Sequence, residues 1–179
     1  MSEITRNRGS KDFDEAFMID LCCGGRHWLF DKDPEDCLFM DIRSVRKGTI
    51  ELQPNWSVDP DLIGSYTDIP FDDSTFRYVF WDIPHAIKLS GIIGMKYGQL
   101  GESWRSDIEQ GFREIHRILE HRGALIFKFA DTSISHKEIM KCLPIDEIGL
   151  KPILGTPTKK GVNNTLFWFF VNYKEGDDQ

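Results

Sequence analysis

Short apolar runs bounded by glycine, proline and aspartate recur along this 179-residue chain. Runs of this kind are typical of strands that are buried on both faces of a sheet. The clearest runs cover residues 16–22, 36–41, 62–64, 76–81, 124–129 and 165–172. Helical segments separate several of them, and this alternation predicts an α/β domain with a mostly parallel sheet and an antiparallel strand at its edge.

The clearest helix is predicted over residues 102–120, where apolar side chains recur every three or four positions and form one stripe. The stripe consists of Trp104, Ile108, Phe112, Ile115 and Leu119. Gly123 follows as the expected helix stop. A second, shorter helix is predicted over residues 134–143, closed by Pro144.

Length and composition indicate one globular domain over residues 13–174. We expect flexibility in the polar N-terminus, residues 1–12, and in the acidic tail, residues 175–179. No apolar run reaches the ~20 residues of a membrane helix, and the N-terminus has no apolar signal-peptide core, which predicts a cytoplasmic protein without membrane contact. Two of the four cysteines are adjacent and none forms a C-x-x-C pair, so we expect neither a disulfide framework nor a metal site.

The net charge of −7 constrains the choice of partner. A protein that holds nucleic acid mainly through phosphate contacts is usually basic. Small basic clusters occur, such as Arg43 with Arg46 and Lys47, but an ordinary solvated face accounts for most of them. We therefore expect a nucleic-acid substrate to be bound only weakly by this chain alone, with a homodimer partner or another subunit to assist.

Acidic residues follow or end four successive apolar segments. They are Asp20, Asp41, Asp68 and Asp82. Open α/β sheets bind ligands beyond the carboxyl ends of their strands, so these acids are expected to lie at one site. Gly24 and Gly25 would let the backbone approach a ligand closely. Each acid or glycine alone is equally compatible with a plain turn.

With these motifs the chain resembles the class I S-adenosylmethionine-dependent methyltransferases over roughly residues 15–173. It is most similar to small single-domain enzymes found in phages and prophages, through the stretches DLCCGG, WLFDKD, DIPH, KYGQL, GFREIHRIL and LIFKF. The resemblance implies a Rossmann-like three-layer αβα sandwich with a mostly parallel seven-stranded sheet and an antiparallel edge strand. The G-x-G-x-x-G of the competing nicotinamide-binding fold is absent.

The resemblance also implies S-adenosylmethionine as the cofactor. Asp41 would bind the ribose hydroxyls and Asp68 would face the adenine amino group, with Ile42 and Ile69 packed on the ring. The first strand and its loop would complete the cofactor site with Asp20, Cys22, Gly24 and Gly25.

The tetrapeptide Asp82-Ile83-Pro84-His85 resembles the Asp-Pro-Pro-Tyr motif of enzymes that methylate an amino group of adenine or cytosine. Asp82 and the Ile83 carbonyl would accept the two amino N–H groups. Pro84 would rigidify the turn, and His85 would lie against a flipped base. Ile83 and His85 depart from the motif, and the alternative interpretation is a turn capped by an acid.

Two long irregular stretches, residues 43–58 and 86–101, are candidates for binding loops. Tyr97 would line the substrate pocket, although a packed loop aromatic is an equal alternative. Lys128 interrupts an apolar strand and would contact substrate or a catalytic acid, or else extend to the rim. Trp28 is a candidate cover for the cofactor, with a core role as the alternative.

The predicted function is methyl transfer to an exocyclic amino nitrogen, most plausibly adenine N6 in DNA. We expect no second domain that reads base sequence, so specificity would come from the two long loops or from a partner. RNA adenine, cytosine N4, and a protein or small-molecule amine remain alternative substrates. A non-catalytic binding or scaffold subunit is the alternative from a different class.

Overall fold

The computed structural model describes residues 13, 15–26, 29–158 and 164–176. The expectations for residues 1–12, for Trp28 and for most of the acidic tail lie outside the described residues and stay predictions. The sequence also predicts a hairpin turn at Asn163 and Asn164, between the last two apolar runs, and this stays a prediction because only Asn164 is described. Among the described helices, none has the length and apolar character needed to cross a membrane.

Seven strands and three helices are formed by the described residues. In chain order they are β1 (Met18–Asp20), β2 (Cys37–Asp41), β3 (Leu62–Ile63), β4 (Phe76–Asp82), α1 (Gly91–Tyr97), α2 (Trp104–Ile118), β5 (Leu119–Ala130), α3 (His136–Met140), β6 (Leu150–Gly155) and β7 (Thr165–Asn172).

The strands form one mixed sheet in the order β3-β2-β1-β4-β5-β7-β6. β1 pairs in parallel with β2 and with β4, and the pairs β2–β3 and β4–β5 are also parallel. β6 is the edge strand on the other side of the sheet. Its neighbour β7 runs antiparallel to both β5 and β6. The predicted fold class is confirmed by this sheet.

One face of the sheet packs on α2 and α3 in a single large core. The buried side of α2 carries the predicted apolar stripe, and in β4 the Trp81 ring lies edge-on to Phe112 with centroids 5.1 Å apart. Gly111 permits this approach: a Cβ at Gly111 would lie 2.8 Å from both the Trp81 and Tyr66 rings. A larger residue at position 111 would therefore push against the core.

The opposite face is covered differently. Phe39 packs there in a small cluster with Cys23 and Leu29, which belong to the segment after β1. Farther along this face, Phe167 and Phe169 of β7 are 44% and 36% exposed. Within the described ranges, the segment after β1 thus covers part of this face.

Helix ends differ from the sequence predictions. α2 passes directly into β5 at Leu119, whose extended backbone ends the helix, so Gly123 is not its stop and lies inside β5. α3 is shorter than the predicted 134–143 segment, and the Ser135 hydroxyl caps it by accepting the Glu138 N–H at 3.3 Å.

Two elements were not predicted. α1 lies within the 86–101 stretch that was expected to be irregular, because Gly91 and Gly94 argued against a helix and α1 buries no residue. β6 was missed because Pro152 and its exposed residues weaken the strand pattern.

Candidate active site

A pocket of about 890 Å³ opens at the carboxyl ends of the parallel strands. Its size falls in the range of about 300–1,000 Å³ that is usual for small-molecule sites. After β1 the chain adds β2 and β3 toward one edge of the sheet, and after β4 it adds β5, β7 and β6 toward the other edge. The pocket therefore lies at the topological switch point, where open α/β sheets bind ligands.

Most of the residues predicted for the site line this pocket. They are Cys22, Gly24, Gly25, Asp41, Ile42, Asp82, Ile83, Pro84, His85, Tyr97 and Lys128. The cofactor half and the substrate half of the predicted site thus share one cavity, with β1 and β2 on one side and β4 and β5 on the other.

The remaining three predicted residues do not line the pocket. Asp20 is fully buried beneath the glycine loop and accepts the backbone N–H of Cys22 at 3.3 Å, so its position supports the loop. Asp68 is exposed, and Ile69 is buried in the core, where its N–H donates to Glu114 at 2.9 Å.

The wall after β3 comes from Gly64, Ser65, Tyr66 and Thr67. A tight turn closed by the Asp68 N–H on the Ser65 carbonyl, at 3.1 Å, directs the chain away from the cavity before residue 68. Asp68 and Ile69 thus lie outside the lining of this pocket, which is formed here by the residues that precede them, and their assignment to the cofactor site stays a prediction. This offset could not be read from the sequence.

The glycine loop is joined to the end of β2. Gly24 has a φ of 47°, a left-handed conformation that favours glycine, and its N–H donates to Asp41 Oδ2 at 3.0 Å. Asp41 is only 3% exposed. The carboxylate that was predicted to bind ribose is thus held rigidly at the pocket wall.

Arg43 occupies both oxygens of Asp41. Its backbone N–H and Nε donate to Oδ1, each at 3.0 Å, and its Nη2 donates to Oδ2 at 3.1 Å. A carboxylate offers about four acceptor positions. Together with the Gly24 N–H, these donors fill them, so a ribose diol can bind Asp41 only after the guanidinium moves.

The same guanidinium reaches the segment that covers the pocket. Arg43 Nη1 donates to the Met95 carbonyl of α1 at 3.0 Å. The segment is closed at its base by the Leu100 N–H, which donates to the Ala86 carbonyl at 2.9 Å. Residues 86–101 thus form a compact loop that Arg43 ties to the end of β2.

Asp82 and Lys128 form an ion pair in the pocket. They are register partners at the carboxyl ends of β4 and β5, so their side chains leave the same face of the sheet side by side. Each side chain is about one-fifth exposed. Lys128 therefore contacts the predicted catalytic acid, which was one of its predicted roles.

The His85 ring lies near two aromatic rings, with its centroid 6.3 Å from those of Tyr97 and Phe129. The hydroxyls of Thr132 and Ser133 donate to its carbonyl and fix the turn. Burial lowers the pKa of His85, the attraction of Asp82 opposes that shift, and the Lys128 ammonium adds to it. The imidazole is therefore held in its neutral form.

Cys22 is not activated as a nucleophile. Burial raises the pKa of its thiol well above the usual value, and the carboxylates of Asp41 and Asp20 raise it further. Within the described ranges no three His, Cys, Asp or Glu side chains are grouped as a metal-ligand set.

Several lining residues were missed by sequence reasoning. Arg43, Ser65, Tyr66 and Thr67 adjoin predicted motifs, so their nearness in sequence was the available signal. Asp107, at the start of α2, carried no signal because its helix was interpreted as a core element.

No family model matches the sequence, and the search of curated proteins found no match. Solved structures do match. The PH0226 protein from Pyrococcus horikoshii is 15% identical, covers 88% of this chain and 81% of its own, and has a TM-score of 0.57. A TehB-like SAM-dependent methyltransferase from Corynebacterium glutamicum is 15% identical, with 88% and 80% covered and a TM-score of 0.56.

A third structure is geranyl diphosphate C-methyltransferase from Streptomyces coelicolor in complex with Mg²⁺, geranyl diphosphate and S-adenosyl-L-homocysteine. It is 9% identical, with 93% of this chain and 75% of that chain covered and a TM-score of 0.56. This chain has the Rossmann-like fold of SAM-dependent methyltransferases. At these identities the likeness concerns the fold, and the resemblance to phage-type enzymes stays a prediction.

Proposed function

We propose that this chain is an S-adenosylmethionine-dependent methyltransferase that acts on an exocyclic amino nitrogen, with adenine N6 in DNA as the first candidate. One observation carries the proposal. A single pocket is lined both by the Gly24–Asp41 pair, suited to a ribose, and by the turn of Asp82, Pro84 and His85, suited to an amino-bearing base. Neither half alone would specify methyl transfer.

The pocket fits the cofactor. A left-handed Gly24 leaves room for a ligand against the loop. When Arg43 withdraws, one acceptor position opens on each oxygen of Asp41, as a ribose diol requires. Ser65 and Tyr66 offer a hydroxyl and a ring on the wall where the adenine would lie. Neighbouring folds that are named as SAM-dependent, or that hold S-adenosyl-L-homocysteine, support the same cofactor.

When bound, S-adenosylmethionine supplies an electrophilic methyl group on its sulfonium. The residues of this chain would then contribute mainly by positioning the substrate amino group against the cofactor. Asp82 and the Ile83 carbonyl would accept the two amino N–H groups and direct the nitrogen lone pair toward the cofactor. His85, neutral and flanked by Tyr97, would lie against the base. No strong base is needed before attack, because the proton can leave afterwards.

Binding of a nucleic-acid substrate would need contacts beyond those of a single copy of this chain. With a net charge of −7, the chain would bind nucleic acid weakly by itself. The 43–58 and 86–101 loops flank the pocket and would contribute to specificity, together with a second copy or another subunit. A small-molecule amine is the competing substrate class, since one neighbouring structure is named as the N-methyltransferase NodS from Bradyrhizobium japonicum.

A non-catalytic subunit is the second candidate function. The observation that favours it is the closed Arg43–Asp41 pair, which leaves no acceptor for ribose in this arrangement. A scaffold of this kind would not bind the cofactor at any accessible concentration.

Methyl incorporation tests the proposal. The chain would be incubated with methyl-labelled S-adenosylmethionine and separate pools of DNA, RNA, protein and small amines. We expect N6-methyladenine in DNA, and Asp82→Asn should lower turnover by about 10²-fold or more while cofactor affinity is kept. Label in another pool would reassign the substrate, and cofactor binding without label in any pool would contradict an enzymatic role.

A further inference from the structure

We propose that Asp82 and Lys128 together recognise an amino group and the ring nitrogen next to it, which is the amidine edge of adenine or cytosine. The inference rests on the proposed function and narrows its substrate class. It assigns Lys128 the role of a specificity-determining residue, and it excludes isolated amines such as lysine side chains.

The position of the pair favours recognition. Asp82 and Lys128 are directly opposite each other at the ends of two central parallel strands, and they touch. Both line the pocket. Strand residues hold side chains more precisely than loop residues do, so the carboxylate and the ammonium present a fixed pair of groups to whatever enters.

The chemistry of the pair matches one kind of edge. An ionised carboxylate only accepts hydrogen bonds, whereas an ammonium only donates them and carries three N–H groups that rotate. An amidine edge offers an N–H donor beside a nitrogen acceptor, as in N6 and N1 of adenine or N4 and N3 of cytosine. On the Watson–Crick edge of guanine, the amino group lies beside a second donor, N1–H, which would face the N–H groups of Lys128. An isolated amine has no adjacent acceptor.

Stability alone does not account for the pair. Lys128 lies between two buried residues of β5, Phe127 and Phe129, and the side chains of Asp82 and Lys128 are each only about one-fifth exposed. Partly buried ion pairs are commonly replaceable by apolar residues without loss of stability. The nearby His85 ring, flanked by Tyr97, provides a stacking surface beside the same groups. The pocket could therefore bind the edge of a base through Asp82 and Lys128 and the face of the same base through the His85 ring.

Nucleoside binding tests the inference without relying on turnover. The chain is first saturated with S-adenosylhomocysteine, and ligand NMR then measures the dissociation constants of adenosine, 7-deazaadenosine and 1-deazaadenosine. Removing N7 leaves the amidine edge intact, whereas removing N1 leaves Lys128 without its acceptor. We expect the first two to bind alike and 1-deazaadenosine to bind at least about tenfold more weakly.

Variants assign the discrimination to Lys128. Lys128→Met should abolish the difference between adenosine and 1-deazaadenosine while leaving the affinity for S-adenosylhomocysteine unchanged. Lys128→Met removes the ammonium that pairs with the Asp82 carboxylate. Asp82→Asn/Lys128→Met therefore serves as a second variant, in which both charges are removed. It should likewise bind adenosine and 1-deazaadenosine with equal affinity. Thermal unfolding reports whether each variant is folded.

Three results would overturn the inference. Equal binding of adenosine and 1-deazaadenosine by the unaltered chain is the first. Discrimination that persists in a folded Lys128 variant is the second. A loss of S-adenosylhomocysteine affinity in Lys128→Met is the third, since it would assign the ammonium to the cofactor. If no nucleoside binds and no nucleic-acid pool is methylated, the proposed function itself fails, and the inference falls with it.

Discussion

Arg43 binds both carboxylate oxygens of Asp41 and, through its remaining nitrogen, the Met95 carbonyl of α1. The ligand position on Asp41 and the anchor of the 86–101 loop therefore depend on one guanidinium. If ribose binds Asp41 as proposed, it must displace the guanidinium and break its contact with the Met95 carbonyl. We therefore expect cofactor binding to weaken the attachment of α1 to the end of β2.

Arg43→Met should strengthen cofactor binding, because the substitution removes the group that competes with ribose. A partly exposed ion pair contributes about 1 kcal/mol, so we expect affinity for S-adenosylhomocysteine to rise by about three- to tenfold in calorimetric titration. Arg46→Met, an exposed cation of the same loop, is the matched control and should leave the affinity unchanged. Weaker binding by Arg43→Met would mean that the guanidinium contacts the cofactor.

Gly111→Ala should destabilise the protein even though alanine favours a helix. The new methyl group would lie 2.8 Å from the rings of Trp81 and Tyr66, which cannot both retreat within a packed core. Overpacking of this kind costs about 1–3 kcal/mol, to be measured by urea unfolding. Gln110→Ala, on the exposed side of α2, should change the free energy of unfolding by no more than about 0.5 kcal/mol. Equal stability of the two variants would contradict the described packing.

The stability of the protein should depend on the protonation of His85. Because its pKa is lowered from the ordinary 6.5, the unfolded chain binds a proton at a higher pH than the folded chain does. The stabilising effect of the neutral ring is therefore complete above pH 6.5 and is lost as the pH falls toward the lowered value. Thermal unfolding between pH 8 and pH 5 should show a smaller acid destabilisation for His85→Phe than for the unaltered chain. Parallel curves would assign the acid sensitivity to other groups.

The sheet and much of the site could be predicted from local patterns. Buried strands need apolar runs, and their carboxyl ends converge at one edge, so Asp41 and Asp82 could be brought together without knowing any distance. The buried face of α2, which includes Trp104 and Phe112, could be predicted from the spacing of its apolar residues. These features depend on residues near one another in sequence or on a general rule of sheet topology.

The rest depends on tertiary placement. The turn between Ser65 and Asp68 moves the pocket wall two or three residues earlier than the motif indicated. The reach of Arg43 to Met95 spans 52 positions and has no local signature. α1 forms although its two glycines disfavour a helix, because the closed loop around it holds the ends in place.

The most direct test of the account is calorimetric titration of the purified chain with S-adenosylmethionine and, separately, with S-adenosylhomocysteine. Asp41→Ala is the test variant, and thermal unfolding shows that it is folded. We expect both ligands to bind the unaltered chain and neither ligand to bind Asp41→Ala. The absence of binding by the folded, unaltered chain, or affinity that survives the loss of Asp41, would contradict it.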